Sequence, residues 1–313
     1  MNIWKAGIMG VVTGDALGCP VQFESRETVA KHPVTGMRGY GTFNLPAGSW
    51  TDDSSLMLAL LQSIARVGGI DERDITDNFV RWLEDGEFTP YGYAYDIGGG
   101  TMAAIHRYER ERDPRTAGGR QASNNCNGSL MRIMPAVLYC IEKDLPDREA
   151  VDIVHRVGSL THAHLRANIA CGLYCFMARA ILAEEGSLND RLQAGLDRGF
   201  AFYEAQLPEL DELKFYRRLR DLDAFAALPA GDIRGSGYVV DALEAAVWSL
   251  ATTGSFEEAL LRAVNLGDDT DTVAAIAGGL AGLYYGEEAI PEAWLKALQR
   301  REWIEGMISG IQS

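Results

Sequence analysis

Residues 267–282 read Gly267-Asp268-Asp269-Thr270-Asp271-Thr272-Val273-Ala274-Ala275-Ile276-Ala277-Gly278-Gly279-Leu280-Ala281-Gly282: three carboxylates within four positions, then an apolar run made almost wholly of small residues. Such a run predicts a helix that lets another backbone come close. Its natural partner is at the other end of the chain, where Ala6-Gly7-Ile8-Met9-Gly10-Val11-Val12-Thr13-Gly14-Asp15-Ala16-Leu17-Gly18 places small residues at 7, 10, 14 and 18, a helical spacing. Each Gly in a helix interior costs up to about 1 kcal/mol relative to Ala, so this many are tolerated only where close packing compensates. The two ends of the chain are therefore expected to form one centre.

Between them the pattern is helical. Asp71 caps a segment with Ile75, Phe79, Trp82 and Leu83 on one face. Apolar periodicity recurs over 131–141, 149–157, 165–183, 187–203, 210–222, 239–250 and 291–303, and Ser255-Phe256-Glu257-Glu258 has the form of a capping box. Strand alternation is nearly absent, so the fold class is all-α. Two long connections, 86–101 rich in Gly and Tyr and 113–128 rich in Gly and Asn, have the length of functional loops. No linker, low-complexity tract or repeat divides the chain, and residues 1–313 are read as a single domain.

The 44 acidic against 29 basic residues, a formal charge of -15, argue against unassisted binding of nucleic acid. Five cysteines without a C-x-x-C pair read as reduced thiols. The N-terminal apolar stretch meets Asp15 too early for a secretory signal, and the longest apolar run, 272–285, is shorter than the roughly 20 residues a spanning helix needs. A cytoplasmic monomer with no membrane contact is expected.

A second acidic cluster, Ser49-Trp50-Thr51-Asp52-Asp53-Ser54-Ser55, opens another apolar helix. Asp52, Asp53, Asp269 and Asp271 would suit helix N-termini, where acids cap N–H groups and offset the dipole. Yet one helix start needs one or two acids, and four carboxylates gathered in space repel unless cations join them. Carboxylates flanked by the hydroxyls of Thr51 and Thr272 form an oxygen-only donor set that selects Mg²⁺ or Mn²⁺ over Zn²⁺. A pair of such ions can orient a substrate and activate water. Spacing alone leaves capping and metal binding equally open. Asn127, with Gly128 and Ser129, would open a helix with an amide and free N–H groups, a cradle for pyrophosphate or an ordinary cap.

The ordered set Gly14-Asp15-Ala16-Leu17-Gly18, Trp50-Thr51-Asp52-Asp53-Ser54, Asp96-Ile97-Gly98, Asn127-Gly128-Ser129-Leu130-Met131-Arg132, Thr161-His162, Gly237-Tyr238 through Ala246, and Gly267-Asp268-Asp269-Thr270-Asp271-Thr272 resembles the ADP-ribosylglycohydrolase family, which includes dinitrogenase reductase-activating glycohydrolase. The resemblance implies an orthogonal all-α bundle with a two-Mg²⁺ centre (Mn²⁺ in its place in some settings) that cleaves the bond joining ADP-ribose to an acceptor. Carried over by position, it implies Thr51, Asp52, Asp53, Asp269, Asp271 and Thr272 as metal ligands and Asp52, Asp53 and Asp96 as the proton-moving acids. It also implies Gly98, Asn125, Asn127, Gly128, Ser129, His162 and Tyr238 as substrate contacts. The expected partner is an ADP-ribosylated protein or another ADP-ribose conjugate, with the N-glycosidic bond of ADP-ribosylated arginine as the bond cleaved.

The chain departs from the family pattern at Gln22, where many members carry Glu, which disfavours O-linked substrates, and at Gly99, Asp268 and Ser54. Two rivals are a non-catalytic ADP-ribose binder, disfavoured because all six ligands are kept, and an all-α nucleotide phosphohydrolase. The latter would need paired Glu or His-Asp on helices, and neither Glu184-Glu185 nor Glu209 beside Pro208 supplies it.

Overall fold

The computed structural model describes residues 1–206 and 211–311; Pro208, Glu209 and the expected helix start at Leu210 lie outside the described residues. Among the described residues the regular structure is helical, with no strand. The N-terminal third holds α1 (Ile3–Gly18), α2 (Arg26–Lys31), α3 (Asp52–Val67), α4 (Glu72–Asp85), α5 (Gly99–Glu111) and α6 (Pro114–Ala117). The middle holds α7 (Met134–Glu142), α8 (Asp147–Ser159), α9 (Leu165–Ala183) and α10 (Leu188–Gln206). The C-terminal part holds α11 (Leu222–Ala226), α12 (Val239–Ala251), α13 (Phe256–Val264), α14 (Thr270–Tyr285), α15 (Glu292–Ala297) and α16 (Arg301–Ile311).

Three expected helices differ in detail. The 131–141 segment starts at Met134, because Asn127–Ser129 form a short 3₁₀ turn and Pro135 sits in the first turn of α7, where its missing N–H costs nothing. The 291–303 segment divides into α15 and α16 at Arg300, whose φ of +56° cannot continue a helix. Asp211–Arg220 is a 3₁₀ helix, followed by α11 with the Asp221 carboxylate accepting from the Ala224 N–H.

α14 is the centre. It is buried from Thr270 to Leu283 and packs on α1, α9, α12 and α13. Against α1 the contact is backbone to backbone: a Cβ on Gly10 would collide with the Gly278 carbonyl, and one on Gly14 with the Ala274 carbonyl. The small-residue pattern is thus used as the spacing predicts. α9 has the length and apolarity of a spanning segment, with a mean hydropathy of 1.3, but 78% of that window is buried in the bundle. The Tyr174 hydroxyl on this helix donates to the Ile276 carbonyl of α14 at 3.2 Å.

Gly278→Val is expected to destabilise the protein by about 3 kcal/mol or more, through overpacking against an immovable carbonyl. Gly306→Ala, on an exposed turn of α16 with nothing near its added methyl, should stabilise by about 0.5–1 kcal/mol. Thermal melts of both variants check the pair; equal shifts would contradict the backbone contact.

Candidate active site

The site is assembled at the N-terminal ends of α3 and α14. Thr51 precedes α3 but makes no side-chain cap bond. The cap comes from α1: Asp15 accepts the N–H groups of Thr51 (2.9 Å) and Ser54 (3.0 Å) and their hydroxyls at 3.0 and 2.6 Å. Desolvation pushes the fully buried Asp15 carboxyl up to about 6, opposed by these bonds. Because Asp15 performs the capping, Asp52 and Asp53 are released from it. Asp269, which precedes α14 as its N-cap, likewise makes no side-chain cap bond. The capping alternative therefore fails for three of the four acids, while Asp271 Oδ1 accepts only the adjacent Thr272 N–H, at 2.8 Å.

These acids converge across the chain. Thr51 Oγ1 lies 3.3 Å from Asp271 Oδ2 and 3.4 Å from Asp53 Oδ2, and Thr272 Oγ1 lies 3.3 Å from the same Asp53 oxygen. Burial raises the carboxyls of Asp52, Asp53 and Asp271 well above their usual range, and every charge that adds to the shift is another carboxylate. Asp53 Oδ1 and Asp96 Oδ2 are buried without a hydrogen-bond partner. Buried polar atoms are nearly always satisfied. A convergent set of carboxylate and hydroxyl oxygens, with unpartnered atoms and no cationic side chain in the lining, has the chemistry of a site for hard divalent cations.

The cavity over this cluster, about 210 Å³, is lined by residues including Gln22, Phe23, Asp52, Asp53, Asp96, Gly98, Asn127, Gly128, Asp269 and Thr272. Asp96 is held at a φ of +55° on the Tyr-rich loop, and desolvation pushes its carboxyl up to about 6. The Gly98 backbone opposes the rise of the Asp52 carboxyl. Asn127 Nδ2 donates to Asp269 Oδ2 at 2.6 Å, and Gln22 Nε2 reaches Asp269 Oδ1 at 3.4 Å. Gln22 also opposes the rise of the Asp96 carboxyl, and its own buried Oε1 is unpartnered.

Four of the expected substrate contacts stand behind the wall. His162 is fully buried, with Nε2 2.7 Å from Cys126 Sγ and Nδ1 2.7 Å from Thr161 Oγ1. Burial, with Arg132 nearby, pushes it down to about 3, so it is a neutral support for Cys126, which lines the cavity. Ser129 is buried against Cys171, and Asn125 joins the 122–127 turn to α12 through its carbonyl and the Val239 N–H at 2.9 Å. Tyr238 accepts from Arg166 Nη1 at 3.0 Å, outside the lining. Asn127 opens only the short 3₁₀ turn 127–129, and its N–H goes to the Gly237 carbonyl. Sequence reasoning missed Asp15 and Phe23 as site residues; an acid inside the otherwise apolar α1 was the available signal for the first. Elsewhere, the donor atoms of Glu84, His106 and Glu109 lie within 4.8 Å of one another, a separate group with both Glu84 and His106 exposed.

Comparison with known proteins agrees with this geometry. The ADP-ribosylglycohydrolase family profile matches residues 4–312. The chain is similar to the ADP-ribosylarginine hydrolase Tri1 of Pseudomonas putida (strain GB-1), with 32% identity over 308 residues, covering 96% of this chain and 75% of that protein. It is also similar to the ADP-ribosyl-[dinitrogen reductase] glycohydrolase of Rhodospirillum rubrum, at 28% identity, covering 94% and 89%. A solved structure described as an ADP-ribosylglycohydrolase-related protein complex superposes with a TM-score of 0.77 at 33% identity, over 99% of this chain and 96% of that one. The chain belongs to the ADP-ribosylglycohydrolase family and is a hydrolase of glycosyl bonds.

Proposed function

We propose that the protein is a Mg²⁺- or Mn²⁺-dependent hydrolase that removes ADP-ribose from modified arginine side chains. The observation that carries this reading is the buried convergence of Asp52, Asp53 and Asp271 with the hydroxyls of Thr51 and Thr272, in which carboxylates repel only one another. The names of the relatives supply the substrate: one acts on ADP-ribosylarginine and another on ADP-ribosylated dinitrogen reductase.

Thr51, Asp52, Asp53, Asp269, Asp271 and Thr272 would hold the ions. When bound, a pair of divalent ions supplies Lewis acidity and activated water. Gln22 and Asn127 fix Asp269 from two sides. Asp96 Oδ2, buried and unpartnered, takes the proton from the water that attacks the anomeric carbon. It then returns that proton to the arginine nitrogen as the carbon–nitrogen bond breaks. A carboxyl with a pKa near 6 is ionised at neutral pH and still returns a proton readily. Gln22 offers no acid at the position where a Glu would serve an oxygen leaving group, which supports the nitrogen-linked reading.

Asp271→Asn is expected to lower divalent-dependent release of ADP-ribose from ADP-ribosyl-arginine by about 10³-fold, the loss of several kcal/mol of charge stabilisation. In chelator its melting temperature should match or exceed that of the wild type, because one of the mutually repelling carboxylates is gone. Retained turnover would refute the ligand assignment.

The raised carboxyls set the sign of the pH dependence. The metal-free native state binds more protons than the unfolded chain below the raised values, so its stability should fall as pH rises from about 4 through about 6. The gain in melting temperature on adding Mg²⁺ should grow over the same span, because protons no longer compete for the ligands. A gain that is flat with pH would place the ions elsewhere.

A further inference from the structure

Phe23 stands at a φ of +67° with 65% of its surface exposed, at the lip of the cavity. A bulky side chain is rarely found in the left-handed region, and a large apolar ring in water adds nothing to the core. Two backbone bonds hold this arrangement: the Phe23 N–H donates to the Asp268 carbonyl at 2.6 Å, and the Asp268 N–H to the Glu24 carbonyl at 2.8 Å. Asp268, itself at a φ of +64°, is exposed.

Phe23 is also the first ring of an arc. Its centroid lies 6.4 Å from Phe43, Phe43 lies 5.6 Å from Tyr95, Tyr95 lies 5.9 Å from Tyr93, and Tyr93 lies 6.2 Å from Tyr91. Two of these rings are anchored, Tyr95 through its hydroxyl to the Trp50 carbonyl and Tyr91 to Ser49 at 2.6 Å. Tyr93 between them is 52% exposed. A fixed aromatic rim, continuous with the cavity through Phe23, is a surface built for something outside the protein.

We propose that this arc docks the polypeptide segment that flanks the modified residue, and that the segment is basic. Aromatic faces attract guanidinium and ammonium groups. The exposed Asp268, joined to Phe23 through the backbone, and the net charge of -15 complement such a segment. The substrate class is therefore protein-borne ADP-ribose in a Lys- and Arg-rich context, recognised beyond the modified side chain. This inference rests on the arginine reading above.

The test compares free ADP-ribosyl-arginine with the same group inside a Lys- and Arg-rich peptide, for the wild type and for Phe43→Ser/Tyr93→Ser, neither residue lining the cavity. Wild type should prefer the peptide through KM. The double variant should raise the peptide KM about tenfold, the worth of one or two cation–aromatic contacts, with kcat unchanged and the free compound turned over within about twofold of wild type. If the double variant melts early, Tyr93→Ser alone gives the same comparison at about threefold. Equal losses on both substrates, or an unchanged peptide preference, would overturn the docking surface while leaving the hydrolase reading intact. A wild type that releases ADP-ribose from neither substrate would overturn the arginine reading and this inference with it.

Discussion

Two antiparallel helices with almost no side chains between them set the position of everything else. The close approaches pair Ala6 with Gly282, Gly10 with Gly278, Gly14 with Ala274 and Gly18 with Asp271, one register along the whole contact. That register brings the C-terminal end of α1 to the N-terminal end of α14, where the Thr270 hydroxyl donates to the Gly18 carbonyl at 2.8 Å. Slipping by one turn would move the acids by about 5.4 Å. Precision at the site thus comes from backbone contact, which has no rotamers to relax.

The same contact explains how the fold accommodates so many buried carboxylates. Asp15, carried on α1, takes over the capping of α3 by accepting from four donor groups of Thr51 and Ser54. It thereby leaves the first turn of α3 with two acids that have no structural duty. Their burial is unfavourable to the metal-free fold, and it persists because the surrounding core over-determines the positions. Stability and function draw on this cluster in opposite directions, which is common where a site must bind charge.

The parts of the site that could be read from the sequence are those encoded by local pattern. Acids at two helix starts and the Gly/Ala spacing each leave a mark within a dozen residues, so Thr51 to Asp53 and Asp269 to Thr272 were visible, as was the pairing of the helices behind them. What was hidden depends on contacts between distant segments. Nothing near Asp15 says that it caps a helix 36 residues away. Nothing near His162 says that both its nitrogens are already occupied, by Thr161 and Cys126. The Asn127 turn looked like a helix start because Asn-Gly-Ser suits a cap, but Gly237 takes its N–H across the chain. The 291–303 segment looked continuous because its apolar period survives the break at Arg300.

The charge of the cavity also dictates an order of events. No Lys or Arg is among the residues lining it. Behind Gly128 the guanidinium of Arg132 donates to the Gly128 carbonyl without reaching the lining, while burial holds His162 uncharged and pushes the Cys126 thiol up. The fixed charges facing the ligand are therefore carboxylates, and these repel the pyrophosphate of ADP-ribose until cations offset them. Productive binding would require the ions to load first and the conjugate second. In the opposite direction, on the arginine reading proposed above, the released guanidinium would be a cation inside an acidic cavity, next to a rim of aromatic rings. It would leave slowly as a free cation, and a polypeptide that carries it off that rim offers a mechanical reason for the rim to recognise more than the modified side chain.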